Sequence, residues 1–253
     1  MHSSEEWSDD KALQFEHRNL VTFVTHRYQH LWDVKSIAEF QAVFIDLVEC
    51  HHRAYITGRV LHRDLSENNL MMRRDDDGQV KGVLNDWDLS SKINETGNVP
   101  TSDAKHRTGT LPFLALDLLR TKPEHHLYRH DLESFLYVLL WAGLHYRLDG
   151  EKNPYPNKAV QGWMNSDFTA AISSKQSLLA FAWEINQLLG AFTPEFKPLA
   201  ETWGRPLLNL FKAAYRDKDD NEGDESWDKE TMGGHLTFEK FMEALKSKPR
   251  SWD

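Results

Sequence analysis

The stretch VLHRDLSENNLMM, residues 60–72, decides the fold of this 253-residue chain. Its apolar ends predict two short strands, and the charged and amide side chains between them predict a polar loop. A loop held between two strands keeps its side chains at fixed positions, and binding and catalytic residues concentrate in such loops. The stretch therefore predicts a functional loop that presents His62, Arg63, Asp64 and Asn69.

Composition excludes several classes of function. The formal net charge of −9 at pH 7 argues against a nucleic-acid-binding protein, which would show a basic stripe. A single cysteine, Cys50, excludes an internal disulfide framework and favours a reducing compartment. The N-terminus, MHSSEEWSDD, lacks the apolar run of a signal peptide, and the longest apolar run, residues 135–144, is too short to cross a membrane. We expect an intracellular protein, in the cytoplasm or nucleus, with no membrane or nucleic-acid partner.

Patterns on both sides of the loop predict a mainly α-helical fold with one small β-hairpin. Upstream, residues 36–39 form a capping box, and a helical apolar stripe runs from there to a stop at Gly58. Downstream, the acidic turn 75–78 separates the apolar runs 70–72 and 80–84, which is typical of a hairpin. The functional loop is thus expected to lie between a helix of about 20 residues and a hairpin.

The remainder of the chain predicts further helices. Residues 86–110 form a long, mostly polar loop. Residues 130–146 are apolar on nearly all sides after the first turn, which predicts a helix buried through the middle of the domain. Three more helical patterns and an acidic insert follow, at residues 174–189, 206–215 and 237–245 for the helices and 217–230 for the insert.

The spacing of residues in the loop is that of a phosphoryl-transfer site. Protein kinases carry the catalytic loop His-Arg-Asp-x-x-x-x-Asn, followed by a second Asp that binds metal. Here Asn69 stands five residues after Asp64, and Asp86 follows at the end of an apolar strand. Mg²⁺ prefers carboxylate and amide oxygens, so Asn69 and Asp86 are its predicted ligands. Asp64 is the predicted base that accepts the proton of the substrate hydroxyl or orients that hydroxyl.

Two further motifs occur in kinase order. Residues 109–117 resemble the end of a kinase activation segment, with Asp117 at the position of its closing Glu. Residues 131–141 resemble the central helix of the kinase C-lobe, whose leading Asp, here Asp131, hydrogen-bonds the catalytic-loop backbone. The chain resembles the fungal-type protein kinase family over residues 20–247. The resemblance rests on four sequence motifs, at residues 49–52, 61–69, 104–113 and 233–241.

The resemblance implies a protein-kinase-like C-lobe that uses ATP and Mg²⁺ to phosphorylate Ser or Thr in a protein. It implies catalytic roles for Asp64, Asn69 and Asp86, and places Ser66 and Met71 beside the nucleotide. Residues with implied structural or regulatory roles are His62, Arg63, Trp87, Thr110, Asp117 and Asp131.

Two of these roles have specific contacts. The ring of His62 is expected to pack beneath Trp87. Arg63 is either a surface charge or holds the activation loop, through a carboxylate or through a phosphate on Thr101, Ser102 or Thr108.

The chain is too short upstream of the loop for a full kinase. A kinase N-lobe, with its Gly-rich loop and strand Lys, needs at least about 60 residues. Only residues 1–35 precede the helix that leads to the loop, and the first glycine is Gly58. We therefore expect most or all of the N-lobe to be missing, and a missing lobe or partner to cover the exposed face. We expect residues 1–17 to be loose and polar and residues 18–253 to form the C-lobe. Within the C-lobe, residues 18–35 are the expected remnant of the hinge and residues 59–88 hold the catalytic loop and the metal motif. Residues 89–117 are the expected activation segment, and residues 130–253 are expected to be helical.

The sequence is compatible with three functions. The first is a protein kinase, weak or inactive as an isolated lobe. The second is a catalytically inactive pseudokinase that binds partners. The third is a small-molecule phosphotransferase, since Ser66 stands where most Ser/Thr kinases carry Lys and Asp88 replaces the Gly after Trp87. The activation-segment resemblance argues against the third function, because that segment forms a platform for protein substrates.

Overall fold

Helix α2, Tyr128–His145, lies at the centre of the fold, and the residues from Arg129 to its end are all buried. The structure is a computed structural model that describes residues 26–94, 99, 109–120, 125–149, 151–153, 157–165 and 168–250. In these residues the strands are β1 (Gln29–His30), β2 (Val60–Leu61), β3 (Leu70–Arg74), β4 (Val80–Leu84) and β5 (Ser91–Lys92). The helices besides α2 are α1 (Ile37–Ile56), α3 (Phe168–Ala180), α4 (Ala182–Gly190), the single turn α5 (Lys197–Leu199), α6 (Arg205–Asp220) and α7 (Phe238–Ala244).

The predicted capping box begins α1. The Ser36 hydroxyl accepts a hydrogen bond from the Glu39 backbone at 3.1 Å, and the Glu39 carboxylate accepts one from the Lys35 backbone at 2.8 Å. The guanidinium of Arg74, at the end of β3, also binds both oxygens of Glu39, at 2.8 Å each. These hydrogen bonds lower the pKa of Glu39 to about 2, so its charge also ties α1 to the sheet.

The predicted hairpin is β3 and β4, which pair antiparallel with Leu70 opposite Leu84. Its turn includes Gly78 at φ +84°, a conformation that glycine adopts without a steric penalty. Strand β1 joins the other edge of β3, and β2 pairs separately with β5. Gly82 lets the hairpin lie against α1, since a Cβ there would stand 2.6 Å from the carbonyl oxygen of Val43.

An aromatic core joins α1 to α2. The rings of Phe40 and Phe44 are 5.7 Å apart, and Phe44 meets Phe135 of α2 edge-on at 5.8 Å. Phe196 closes the other side, 4.9 Å from Phe40. The mainly helical class with a small hairpin and a central buried helix is therefore confirmed, and it is compatible with a kinase-like fold.

Two predicted boundaries are wrong. The pattern at 174–189 is not one helix, because Phe181 adopts an extended conformation between α3 and α4. The break lets both helices bury apolar residues, Leu178 and Leu179 from α3 and Ile185 from α4. The acidic insert begins later than predicted, since α6 continues to Asp220 before the chain turns.

Other predictions fall partly outside the described residues. These are the loose N-terminus 1–17, part of the hinge remnant 18–35 and most of the polar loop 86–110. Within that loop the structure describes the short strand β5. Among the helices that the structure describes, none has the length and apolar character needed to cross a bilayer.

Gly143 in α2 offers a test of the core packing. A Cβ at this position would stand 2.3 Å from Cε2 of Phe192. Gly143→Ala is therefore expected to lower the free energy of unfolding by about 1–3 kcal/mol, because overpacking outweighs the higher helix propensity of alanine. Urea denaturation measures the change. The matched control is Gly190→Ala at the end of α4, where nothing lies within 4 Å and stability should be unchanged or slightly raised. Equal stability of the two variants would contradict the packing of Phe192 on α2.

Candidate active site

The catalytic loop is a tight connection between β2 and β3. The Ser66 carbonyl accepts hydrogen bonds from the backbone of Asn69 at 3.0 Å and of Leu70 at 3.1 Å, which closes the loop as a turn. The backbone of Asn85 then donates to the carbonyl of Asn69 at 2.9 Å. Because Asp86 directly follows Asn85, the hairpin places the second predicted metal ligand beside the first.

The buried carboxylate of Asp131 holds the loop from below. Its Oδ2 accepts hydrogen bonds from the backbone of His62 at 3.1 Å and of Arg63 at 3.4 Å. The Nε2 atoms of His51 and His126 lie 2.7 Å from Oδ2 and Oδ1 respectively. Burial alone raises the pKa of Asp131, but the two histidines outweigh it and hold the pKa well below its usual range. The carboxylate is therefore ionised and surrounded by donors.

The two histidines around Asp131 were not among the predicted site residues. His51 belongs to the sequence motif at 49–52, which contributes to the family resemblance. The motif therefore marked His51, but the sequence did not indicate that it contacts Asp131. His126 lies five residues before Asp131 and carried no signal.

The ring of His62 connects the catalytic loop to the metal motif. Its Nε2 lies 2.9 Å from the carbonyl oxygen of Asn85, and its Nδ1 lies 3.3 Å from the backbone nitrogen of Asp64. A carbonyl accepts and an N–H donates, so the proton must sit on Nε2 and Nδ1 must be bare. Burial lowers the pKa of His62, which favours this neutral form. The ring also lies against Trp87, with centroids 4.6 Å apart, which is the contact that the sequence predicted.

Asp64 meets the activation segment through Thr110. Its Oδ1 accepts hydrogen bonds from the Thr110 backbone at 2.8 Å and from the Thr110 hydroxyl at 2.9 Å. The amide of Asn69 donates to the Asp64 carbonyl at 2.8 Å and, more weakly, to its Oδ2 at 3.3 Å. One carboxylate oxygen is thus held by two good hydrogen bonds, and the other is only loosely engaged.

The two predicted metal-binding groups are the carboxylate of Asp86 and Oδ1 of Asn69, and Asn69 itself is buried, at 7 % exposure. Asp86 is exposed at φ +57°, a left-handed conformation that is uncommon for residues other than glycine and is often found at functional sites. Within the described residues, no side chain or backbone group donates a hydrogen bond to the Asp86 carboxylate or to Oδ1 of Asn69. The described residues also contain no group of three or more His, Cys, Asp or Glu side chains that could hold a metal.

The two residues predicted at the nucleotide differ in access. Ser66 is 2 % exposed, and the structure gives it the carbonyl contacts that close the loop. Met71 is half-buried in β3, opposite His30 and Val83, and its sulfur accepts a weak hydrogen bond from the Asn85 side chain at 3.5 Å. Their nucleotide contacts stay predictions.

The end of the activation segment is tied down by Asp117. Its Oδ2 lies 2.8 Å from Arg129 of α2 and 2.7 Å from Lys218 of α6. Burial raises the pKa of Asp117, but these cations outweigh it and lower the pKa overall. Glu133 adds a second contact, since it accepts the backbone N–H of Leu116 at 2.8 Å. The sequence singled out Asp117 but none of its partners.

The role of Arg63 is only partly visible. Its guanidinium is buried and donates to the Ser91 hydroxyl in β5, so it is not a surface charge. The predicted partners Thr101, Ser102 and Thr108 lie outside the described residues. Whether Arg63 also holds a phosphate or a carboxylate in the activation loop stays a prediction.

Glu67 holds the outer side of the loop and was missed by sequence reasoning. Its carboxylate accepts hydrogen bonds from Trp141 at 2.9 Å, from Tyr146 at 3.3 Å and from Lys152 at 2.9 Å. The Lys152 ammonium also lies 3.7 Å from the ring centroid of Trp32. These partners are 74 to 85 residues away from Glu67 in sequence, so no local pattern signalled the cluster.

The chain matches the sequence model of a known protein family. The sequence model of the family described as fungal protein kinase matches residues 2–142, which is more than half of the chain. The match spans α1, the catalytic loop, Asp86 and most of α2, and it ends upstream of the motif at 233–241. No curated protein matches the chain. The chain therefore belongs to the fungal protein kinase family, which confirms the resemblance found in its sequence.

His62→Phe tests the link between the two halves of the site. The variant is expected to lose about 1–3 kcal/mol of unfolding free energy at neutral pH, because two buried hydrogen bonds disappear. Since burial lowers the pKa of His62 below its ordinary 6.5, the unfolded chain takes up the proton first as the pH falls. The stabilisation by His62 is therefore present above that value and declines below it. In urea denaturation, the difference between wild type and variant should be larger at about pH 7.5 than at about pH 5.5.

The control for this test is His125→Phe, which replaces an exposed histidine on the same background. It removes none of the contacts of His62, so its stability difference should not change with pH in this way. A His62→Phe difference that is constant with pH would contradict the neutral, doubly hydrogen-bonded ring.

Proposed function

We propose that this member of the fungal protein kinase family transfers the γ-phosphate of ATP to a Ser or Thr hydroxyl of a protein. The observation that carries the proposal is the junction of Asp64 with Asn69 on one side and Thr110 on the other. Kinase catalysis needs a carboxylate at the attacking hydroxyl, metal ligands beside it and a segment that presents the substrate. The three residues supply one element each.

Mg²⁺ would be held by Oδ1 of Asn69 and the carboxylate of Asp86. Mg²⁺ usually binds one or two protein oxygens and completes its shell with water and substrate phosphates, so a pair of ligands suffices. The Asn69 amide is already turned by its hydrogen bond to the Asp64 carbonyl, which leaves Oδ1 for the metal. When bound, Mg²⁺ would neutralise charge on the β- and γ-phosphates.

Asp64 would orient the substrate hydroxyl and accept its proton. The two hydrogen bonds from Thr110 fix Oδ1, so the carboxylate has a defined direction and Oδ2 is left for the hydroxyl. Because Thr110 belongs to the activation segment, the base is positioned by the segment that receives protein substrates in kinases. This contact favours a protein substrate over a small molecule.

The remaining nucleotide contacts would be made by an N-lobe. A kinase binds ATP phosphates through a Gly-rich loop and a strand Lys. Residues 1–35 contain no glycine, so we assign these contacts to a further segment or a partner.

The first test is the binding of Mg²⁺-ATP. A ligand that binds only the folded state raises the melting temperature by mass action. We expect Mg²⁺-ATP to raise it for the chain joined to the N-lobe of a family member, and Asp86→Asn or Asn69→Leu to remove most of the rise because each deletes a metal ligand. The matched control is Asp88→Asn, which neutralises the neighbouring exposed carboxylate and should keep the rise. A rise that persists in Asp86→Asn contradicts the metal assignment.

The second test is phosphate transfer by the chain joined to the N-lobe of a family member. We expect labelled phosphate on peptides with Ser or Thr, and a fall of at least about 100-fold in Asp64→Asn, because a positioned base contributes that much. Nucleotide binding without transfer would instead identify a pseudokinase. Transfer to small hydroxylated compounds in preference to peptides would identify a small-molecule phosphotransferase. Either result overturns the proposal.

A further inference from the structure

A cavity opens beside the end of the activation segment. It has a volume of about 280 Å³ and lies between the 3₁₀ turn Leu116–Leu119, α3 and α6. Its apolar lining comes from Leu116, Leu179 and Tyr215, which are all buried. None of the roles assigned to the candidate active site uses this cavity.

The rim of the cavity carries an excess of positive charge. Arg120, Lys212 and Arg216 line it, against one carboxylate, Asp219, so the local formal charge is 3 − 1 = +2. The whole chain has a formal charge of −9. A cationic cleft in an acidic protein attracts anionic groups, while the rest of the surface repels them.

Two of these cations, Arg216 and Lys212, have no carboxylate partner among the described residues, whereas Arg120 is paired with one. Arg216 is exposed, and its side chain makes no hydrogen bond or ion pair to the rest of the described chain. Lys212 donates to the carbonyl of Ala180 at 2.9 Å and has no carboxylate partner among the described residues. Arg120 lies 3.7 Å from Asp117, whose other oxygen already binds the cations Arg129 and Lys218.

Two exposed aromatic side chains closely follow the cavity residue Ala180 in the sequence. Ala180 lines the cavity, and the break between α3 and α4 follows directly, with Phe181 52 % exposed and Trp183 59 % exposed. Exposed aromatic and arginine side chains together are typical of protein-binding surfaces. The combination of apolar floor, cationic rim and aromatic edge suits a polypeptide better than a small inorganic anion.

We propose that this cleft binds an acidic segment of the protein substrate, at a distance from the hydroxyl that is phosphorylated. The inference rests on the function proposed above, since the substrate is the partner. Acidic side chains of the segment pair with Arg216, Lys212 and Arg120, and an apolar neighbour contacts Leu179 and Phe181. The cleft adjoins Leu116 in the activation segment, so a bound segment brings the rest of the substrate to the platform. Such a contact raises the local concentration of the hydroxyl without altering the chemistry.

The test measures binding alone, so it does not depend on activity. The probe is a short fluorescein-labelled peptide of Glu, Asp and Leu that lacks Ser, Thr and Tyr, and fluorescence anisotropy reports its affinity for the full chain. The double charge reversal Lys212→Glu with Arg216→Glu should weaken binding by at least about tenfold, because like charges then face the peptide. The control Lys240→Glu with Lys248→Glu makes the same change in net charge at exposed lysines on and beyond α7, and it should retain the wild-type affinity.

Trp183→Ala together with Phe181→Ala tests the aromatic edge and should also weaken binding. Three results would contradict the proposed binding site. The first is no measurable binding of the acidic peptide, and the second is an equal loss of affinity in the two charge-reversal variants. The third is equal binding of a peptide with Lys in place of Glu and Asp. Equal binding of a single-stranded oligonucleotide of the same charge would overturn its assignment to a peptide.

The cleft and the kinase function can fail separately. If phosphate is transferred to a peptide without acidic residues and the acidic probe does not bind, the docking proposal is wrong and the proposed kinase function stands. Binding of the probe with no transfer to any peptide supports the cleft as a docking surface and overturns the proposed function.

Discussion

The carboxylate of Asp131 is the constraint on which the rest of the structure depends. An ionised carboxylate in an apolar interior is destabilising by several kcal/mol unless donors surround it. Here the donors come from three parts of the chain: His51 of α1, the backbone of the catalytic loop, and His126 just before α2. Because all of them must converge on one buried group, the loop has a single position relative to both helices. That position sets the half-buried Asp64 next to Asn69, which is buried.

Helix α2 fastens the activation segment in a similar way. Glu133, two residues after Asp131, accepts hydrogen bonds from the Leu116 backbone and from the hydroxyls of Tyr137 and Tyr215, while burial raises its pKa. Lys175 of α3 donates to the carbonyl of Leu114 at 2.5 Å. Helices α2 and α3 thus hold Leu116 and Leu114, which follow Thr110 closely in the chain, and Thr110 itself contacts Asp64. The meeting of base and activation segment therefore follows from buried polar contacts beneath them.

Structural and functional polar groups differ in how far they are satisfied. The carboxylates of Asp117, Asp131 and Glu133 are buried and bound by several partners, as buried polar groups in folded proteins are. The carboxylate of Asp86 is exposed and has no donor among the described residues, and the guanidinium of Arg216 is likewise exposed and without a partner there. Groups that are left available beside a rigid framework can bind ligands without first breaking internal contacts. This difference underlies both the metal assignment and the docking cleft.

The sequence by itself determined the features that depend on short spacing. The cap at Ser36, the turn at Gly78, the buried central helix and the order of Asp64, Asn69 and Asp86 all follow from residues a few positions apart, where propensity and periodicity act. Only the tertiary structure decided which groups meet across long separations. Thr110 reaches Asp64 over 46 residues and His51 reaches Asp131 over 80, and the cavity by Arg216 needs three distant segments. The break at Phe181 could not be predicted from the sequence for the same reason. Whether a helix continues there depends on the core against which both halves pack, and that core is formed by residues distant in sequence.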